Sequence, residues 1–317
     1  MSGTPMNSSA KPPTSVSAET DTQIPRLIWM LWWQDIEHAP EVVRVCLKSW
    51  QHHNPNWKLV LLNQQNVFDY VNAEDMPDLS REDISIQKMA NLIRINLLKQ
   101  HGGVWADATS FCARPLDDWL NEAAPSGFFA FANPGRDRKL SNWFLASSKQ
   151  HPLISSFCAA HQEYWQRNRF DRQNTLFGKL ASASSSRIVS ALPFLGDFWF
   201  SDFCTRYVRV YPYFVFHYHF ALLLRQDADF AQQWAAVPEL SARDAHKVLK
   251  FGVYSRLSKE AIRLIDDVCS PVHKLSWKAP KERGDGMTIL DYLAATLSTE
   301  GIAGDIDSHG DSGDSLA

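Results

Sequence analysis

Apolar positions in the first third of the chain follow two alternating periods. The run from Arg26 to Trp32 is continuously apolar after its first residue, as expected of a strand buried on both faces. Between Ala39 and His52 the spacing changes: Val42, Val43, Cys46, Leu47 and Trp50 recur at helical intervals. Asn54-Pro55-Asn56 ends that helix, Trp57 to Leu62 reads as a second strand, and Asn63 onward starts a turn and a further helix. A longer helix is predicted over Ser85 to Gln100. Its apolar stripe is Ile86, Ala90, Ile93 and Leu97, and Leu92 and Ile95 widen it until the helix is covered on most sides. Asp83 or Ser85 suits its N-cap, and Gly102-Gly103 suits its C-terminal cap, where positive φ is wanted. The strand Val104-Trp105-Ala106 follows. This β-α-β-α-β rhythm predicts an α/β fold, a mainly parallel sheet flanked by helices on both faces. From about Phe128 short strands mix with helices expected at Leu153 to Arg167, Leu180 to Val189 and Ala221 to Trp234. With no internal repeat, the second half reads as a helix-rich part of the same fold.

The first candidate chemistry stands where the third strand ends, at Asp107-Ala108-Thr109. In open α/β sheets ligands bind at the carboxyl edge of the strands. A carboxylate there can hold a ribose hydroxyl or a divalent cation bridging a diphosphate, or it can simply start a turn. Asn91 and Arg94, three apart, share one face of the preceding helix. An arginine on a largely buried helix needs an anionic or hydrogen-bonding partner, and a diphosphate, a sugar hydroxyl or an internal Asp would each serve. His217 and His219 share a face if their segment is a strand, where they could bind a metal or phosphate, and diverge if it is a helix. Asp197 and Asp202 fit either a base or metal role or loop capping. Of twelve Trp residues, Trp32 and Trp33 end the first strand and should point to opposite faces. Trp143, Trp165, Trp199 and Trp277 fit either the aromatic lining of a binding groove or core packing, with the core expected for most of them.

Composition narrows the class. A 45% hydrophobic content is ordinary for a globular chain of 317 residues, and a net charge of -3 gives no reason to expect nucleic acid as a partner. Five scattered cysteines, without metal-binding spacing, read as reduced thiols. Residues 1–23 and 299–317 read as disordered tails around one domain over 24–298, with an early α/β half at 24–125 and a helix-rich half at 126–298. The first segment lacks the apolar core of a signal peptide and no stretch is long enough to span a membrane, so the expected location is cytoplasmic, peripheral to the inner face of the membrane.

Four segments, in order, resemble the capsular polysaccharide synthesis glycosyltransferases, relatives of sugar-transferases with a DxD motif that include yeast mannosyltransferases and clostridial glucosylating toxins. They are Ile24 to Trp32; Met89 to Arg94 with Leu97-Leu98 and Gly102 to Thr109; Ser141 to Ala146 with His151-Pro152; and Tyr213 to Tyr218. The resemblance implies a Rossmann-like GT-A fold, with 24–125 as the nucleotide-sugar-binding half and 126–298 as the acceptor-side half, and transfer of a sugar from a UDP- or GDP-sugar to a hydroxyl acceptor such as a glycan, with retained configuration. It implies that Trp32 stacks on the base, Asn91, Asp107 and Asn142 hold the donor, and Arg94, Asp107 and His217 serve catalysis. Many relatives carry an Asp where Asn91 stands and an acid where Thr109 stands. A Thr hydroxyl is a weaker ligand for a hard cation, so Asp107 and Thr109 imply a weak Mn²⁺ or Mg²⁺ site that fills only with the nucleotide sugar present. The alternatives are a non-catalytic nucleotide-sugar or carbohydrate binder and a sugar phosphotransferase.

Overall fold

The computed structural model describes residues 22–78, 81–278 and 286–306. The strands are β1 (Leu27–Leu31), β2 (Lys58–Leu62), β3 (Gly103–Ala106), β4 (Ser110–Cys112), β5 (Phe128–Gly135), β6 (Arg138–Ser147) and β7 (Val272–Lys274). The helices are α1 (Glu41–His53), α2 (Ile86–His101), α3 (Leu120–Ala123), α4 (Pro152–Arg167), α5 (Leu176–Ala191), α6 (Val215–Gln226), α7 (Ala228–Ala235), α8 (Ala242–Ala245), α9 (Lys259–Asp266) and α10 (Ile289–Ile306). Of the two expected tails, residues 1–21 and 307–317 lie outside the described residues, and α10 runs through the start of the second.

One sheet has the order β2-β1-β3-β6-β5. β1 pairs in parallel with β2 and β3, β6 is antiparallel to β3, and β5 is antiparallel to β6. Four of the five strands therefore point one way, and β6 alone runs against them. Alternation along the strands divides the core in two. Ile28, Met30, Val104 and Ala106 face one cluster, with Val43 and Trp50 of α1 and Leu290 of α10. Trp29 and Trp105 face the other, with Leu98 of α2, Phe157 of α4 and Phe220 of α6. Burial on both faces is why these strands read as unbroken apolar runs.

The step from α2 into β3 depends on its glycines. Gly102 and Gly103 have φ of 69° and 95°. A Cβ on Gly103 would stand 2.6 Å from the Leu27 carbonyl oxygen, so only glycine lets β3 lie this close to β1. Ser85 takes the N-cap position of α2, while Asp83 pairs with Arg81. Of the expected stripe, Ile93 and Leu97 are fully buried, whereas Ile86 is exposed at the open end of the helix. All five cysteines are free thiols, four of them buried.

The helix expected over Ala221 to Trp234 is two helices. Asp227 separates them by capping α7, its carboxylate accepting from the Phe230 amide at 3.0 Å. The first begins at Val215, so His217 and His219 lie on a helix and diverge. His219 goes into the core, its Nδ1 2.9 Å from Nδ1 of His161. Trp165 Nε1 donates to Nε2 of His161 at 3.1 Å. An indole N–H only donates, so that nitrogen accepts, and the proton of His161 sits on Nδ1 and is donated to His219. Burial keeps both rings neutral. It holds His161 well below its ordinary value, with His219 adding to the effect, and lowers His219 from 6.5 to about 4.

These imidazoles bind protons less readily folded than unfolded. The stability they contribute is therefore complete above the unfolded value of 6.5 and is lost as pH falls from there towards about 4. Melting temperatures taken across this window should drop steadily. His219→Gln, which hydrogen-bonds without titrating in this range, should flatten part of the slope, and an unchanged slope would place the pH sensitivity elsewhere.

Candidate active site

Five separate segments meet at the carboxyl edge of β1 and β3. Trp32 follows β1, Asp107 and Thr109 follow β3, and because these strands are parallel neighbours the residues leave the sheet at the same edge. β6 runs the other way. Its Phe144 lies opposite Ala106, so Asn142, two residues earlier, reaches the same edge. The Asp107 amide seals the junction by donating to the Trp143 carbonyl at 2.8 Å. Asn91 and Arg94 arrive from α2 and His217 from α6. All seven line one cavity of about 610 Å³.

Their polar groups form a chain. The Asn91 side-chain oxygen accepts from Asn142 Nδ2 at 3.0 Å and from Arg94 Nη1 at 2.8 Å. Arg94 Nη2 donates to Asp107 Oδ1 at 3.0 Å, and Trp105 Nε1 donates to the same oxygen at 2.9 Å. Lys274 Nζ then lies 3.1 Å from Asp107 Oδ2 and 2.7 Å from Thr109 Oγ1. Asp107 does start a turn, since Ser110 donates its amide to the Asp107 carbonyl at 2.8 Å. Its carboxylate, however, is engaged by side chains from three other positions. Burial opposes ionisation of Asp107, but Lys274 first and Arg94 second outweigh it and hold the carboxyl below its ordinary range.

Arg94 is 4% exposed and lies over the Trp105 ring, 4.9 Å from its centroid. Burial lowers its pKa and Asp107 opposes the shift. A guanidinium stays charged in proteins regardless. The partner its buried position demands is the internal carboxylate of Asp107. Its buried Nε has no hydrogen-bond partner among the described residues.

The expected metal pair is already occupied by protein groups. Mn²⁺ and Mg²⁺ take oxygen ligands and favour carboxylates. Here the one carboxylate has both oxygens engaged, and the Thr109 hydroxyl is bound to the same ammonium. Among the described residues no group of three His, Cys, Asp or Glu is placed to hold a metal ion. One engaged carboxylate and one hydroxyl between two cationic side chains do not fit a divalent cation in this arrangement.

His217 is 6% exposed and its Nδ1 has no partner among the described residues. Burial, then the nearby Arg138, Lys88 and Arg94 charges, hold it well below the ordinary imidazole range. It therefore stands at the cavity as a neutral imidazole. Trp32 and Trp33 pack partly against opposite core clusters, as their alternation requires, and both line the cavity. Trp143, Trp165 and Trp199 are in the core, but Trp277 is 48% exposed and stands edge-on to Trp32 at 6.2 Å between centroids. Asp197 and Asp202 are outside the cavity and pair at the surface with Arg225 and Arg206.

Two cations of the site escape the sequence reading, Lys88 on the cavity wall and Lys274 behind Asp107 and Thr109. Lys88 lies three residues before Asn91 on α2, a spacing that carries the signal. Its ammonium sits 5.0 Å from the Tyr213 ring centre, and burial followed by the Arg94 charge lowers its pKa to about 8. Lys274 has no local signal. It arrives because β4 and β7 pair antiparallel, with Ser110 opposite Lys274 and the Leu275 amide donating to the Thr109 carbonyl at 2.8 Å.

O-glycosyltransferase braB of Annulohypoxylon truncatum is 26% identical over 157 residues, 44% of this chain and 37% of that protein. Inositol phosphoceramide mannosyltransferase 1 of Schizosaccharomyces pombe is 30% identical over 149 residues, 44% of this chain and 43% of that protein. The putative glycosyltransferase HOC1 of Saccharomyces cerevisiae is 26% identical over 135 residues, 39% of this chain and 33% of that protein. The matched region is thus less than half the length of each of these curated relatives. A solved structure of PaToxG glycosyltransferase superposes with a TM-score of 0.33 at 15% identity, covering 78% of this chain and 85% of that one, a likeness too distant to bear on function. The family described as capsular polysaccharide synthesis protein matches residues 7–177 and 179–293, and with nearly the whole chain inside that match, this protein belongs to the capsular polysaccharide synthesis family.

Proposed function

We propose that the protein is a glycosyltransferase that moves a sugar from a nucleotide-diphosphate sugar to a hydroxyl of a glycan acceptor. The observation that carries this reading is the convergence of five chain segments on one cavity whose floor holds a single carboxylate, Asp107, between the cations Arg94 and Lys274. With Lys88 on the wall, the surroundings are net positive and suit a diphosphate. Trp32 and Trp277 offer the aromatic wall for the donor base, and Asn142, tied to Asn91, offers its free polar groups to the sugar or the acceptor.

In the reaction the acceptor oxygen bonds to the anomeric carbon. The bond from that carbon to the β-phosphate oxygen breaks, its electron pair leaves on the nucleoside diphosphate, and the acceptor proton passes to the departing phosphate. The demand on the protein is to stabilise negative charge growing on that leaving group. Arg94 and Lys88 supply positive charge, and His217 supplies a neutral hydrogen bond. Asp107 is the only carboxylate among the described residues lining the cavity, and both its oxygens are engaged. The family resemblance implies retained configuration, and with no free carboxylate in the cavity to form a covalent intermediate, that outcome calls for attack from the leaving-group face. Among the described residues no helix is long and apolar enough to cross a membrane. The exposed Leu176, Phe177 and Leu180 of α5 suit a position against the inner membrane face.

The reading is tested by a thermal-shift screen of UDP- and GDP-sugars, since a bound ligand raises the melting temperature with its saturation. Release of nucleoside diphosphate in the presence of an acceptor should follow for the donor that binds. Binding without release would indicate a pure binder, and release of a nucleoside monophosphate would indicate a phosphotransferase.

Two substitutions probe separate parts of the site. Trp32→Ala should weaken nucleotide-sugar binding by about 1–3 kcal/mol, the usual worth of a stacked base, with folding retained. Calorimetry showing an unchanged Kd would remove Trp32 from the base site. Arg94→Lys loses the planar fork that joins Asn91 to Asp107 and should reduce turnover by roughly 10–100-fold. If Arg94 is structural only, the melting temperature falls and kcat per folded molecule is spared.

A further inference from the structure

The Asp107–Thr109 turn presents two oxygens to the point where a DxD-type site would hold its cation, and a protein ammonium already sits there. Lys274 Nζ is 2.7 Å from Thr109 Oγ1 and 3.1 Å from Asp107 Oδ2. It is held from behind by backbone pairing. Ser110 lies opposite Lys274 in the β4–β7 ribbon, and the Leu275 amide donates to the Thr109 carbonyl at 2.8 Å. The side chain is only 16% exposed. Its position is therefore a property of the fold and not of a mobile surface lysine.

Charge counting separates this site from one built for a metal. A hard divalent cation needs several oxygen ligands and enough negative charge to offset its own. This turn offers one carboxylate, and that carboxylate also carries Arg94 at 3.0 Å on its other oxygen. Asp107, Arg94 and Lys274 together sum to a single positive charge. A divalent ion brought to Asp107 would meet two fixed cations at close range, whereas a diphosphate would meet a complementary field. The neutral residue at 109 fits the same logic. A Thr hydroxyl can accept from an ammonium without adding a second negative charge, and a second acid there would cancel the excess positive charge.

We infer that Lys274 is a built-in substitute for the divalent cation of this site: its ammonium holds Asp107 and Thr109 in place and supplies fixed positive charge behind the diphosphate, so that donor binding and sugar transfer proceed without metal. This rests on the nucleotide-sugar reading above. Lys274 acts through Asp107 and Thr109 and is a positioning residue, whereas Lys88 and Arg94 line the cavity itself.

The experiment uses the full chain stripped with EDTA and the nucleoside diphosphates UDP and GDP as probes. Calorimetry should give the same Kd for the preferred nucleotide in EDTA and in Mn²⁺, to within about threefold, because protein cations carry the phosphate contact. Binding seen only with Mn²⁺ would overturn the inference while leaving the donor reading intact. No binding of either nucleotide under either condition would overturn the donor reading, and this inference with it. Lys274→Gln keeps length and polarity but removes the charge, and should weaken nucleotide binding in EDTA by roughly 10–100-fold. Lys274→Arg should restore a large part of that loss, a rescue that a purely structural role would not show. Full affinity in a folded Lys274→Gln variant would overturn the inference. Where that variant does not fold, the metal dependence of the unaltered chain decides.

Discussion

The carboxylate of Asp107 is the constraint around which the site is organised. It is half-buried at the end of a strand that is closed on both faces, and a charge removed from water there must be compensated. Compensation comes from two directions, Arg94 from the helix before the strand and Lys274 from a strand far along the chain. Removing either cation leaves a partly desolvated charge without its full complement, the situation in which breaking a pair costs most. The same arrangement ties the two halves of the chain together. α2 and β3 belong to the first half of the chain, and β7 to the second, so one carboxylate couples the early sheet to the late ribbon.

Sheet topology decides what else can reach that carboxylate. Two parallel neighbours, β1 and β3, end at one edge, and the single reversed strand, β6, begins there. An all-parallel arrangement would have sent Asn142 to the opposite edge. α2 contributes through its burial. It is packed on nearly every side, and where it meets the cavity Asn91 and Arg94 turn to Asn142 and Asp107 instead of to water. A buried polar chain of this kind is stable because each bond satisfies a group that would otherwise lie unpaired.

Electrostatics assigns unlike roles to residues that look alike in the sequence. His217 and His219 are two positions apart, yet one lines the cavity and the other belongs to an interior pair with His161. Both are kept neutral by burial, so the positive character of the cavity comes from Arg94, Lys88 and Lys274. The net charge of the whole chain, -3, gives no hint of this local excess. Association with an anionic ligand is governed by the charges within a Debye length of it.

The helix expected from Asn63 onward is only two short 3-10 turns, Val67–Asp69 and Ala73–Asp75, but local pattern by itself determined β1 to β3, α1 and α2, the glycine step into β3, the exit of Trp32 and Asp107 at one sheet edge, and the shared helix face of Asn91 and Arg94. Each of these follows from short-range constraints: a period of two or 3.6, a positive φ, and the rule that parallel strands expose their carboxyl ends together. The resemblance to a family added Asn142 and His217, which no periodicity indicates. Tertiary structure alone decided the rest. Whether His217 and His219 share a face depended on a helix whose start lay six residues earlier than the apolar spacing suggested. Trp277 left the core because it sits beside Trp32 at the cavity, a neighbour no local pattern reveals. The partner of the motif's carboxylate was equally hidden. An aspartate followed two residues later by a threonine invites a metal from the sequence side, and only the register of β4 against β7 puts an ammonium between them. Long-range pairing sets which charges meet, and charge balance at a buried site depends on the whole set of neighbours, not on the residues next to it in the chain.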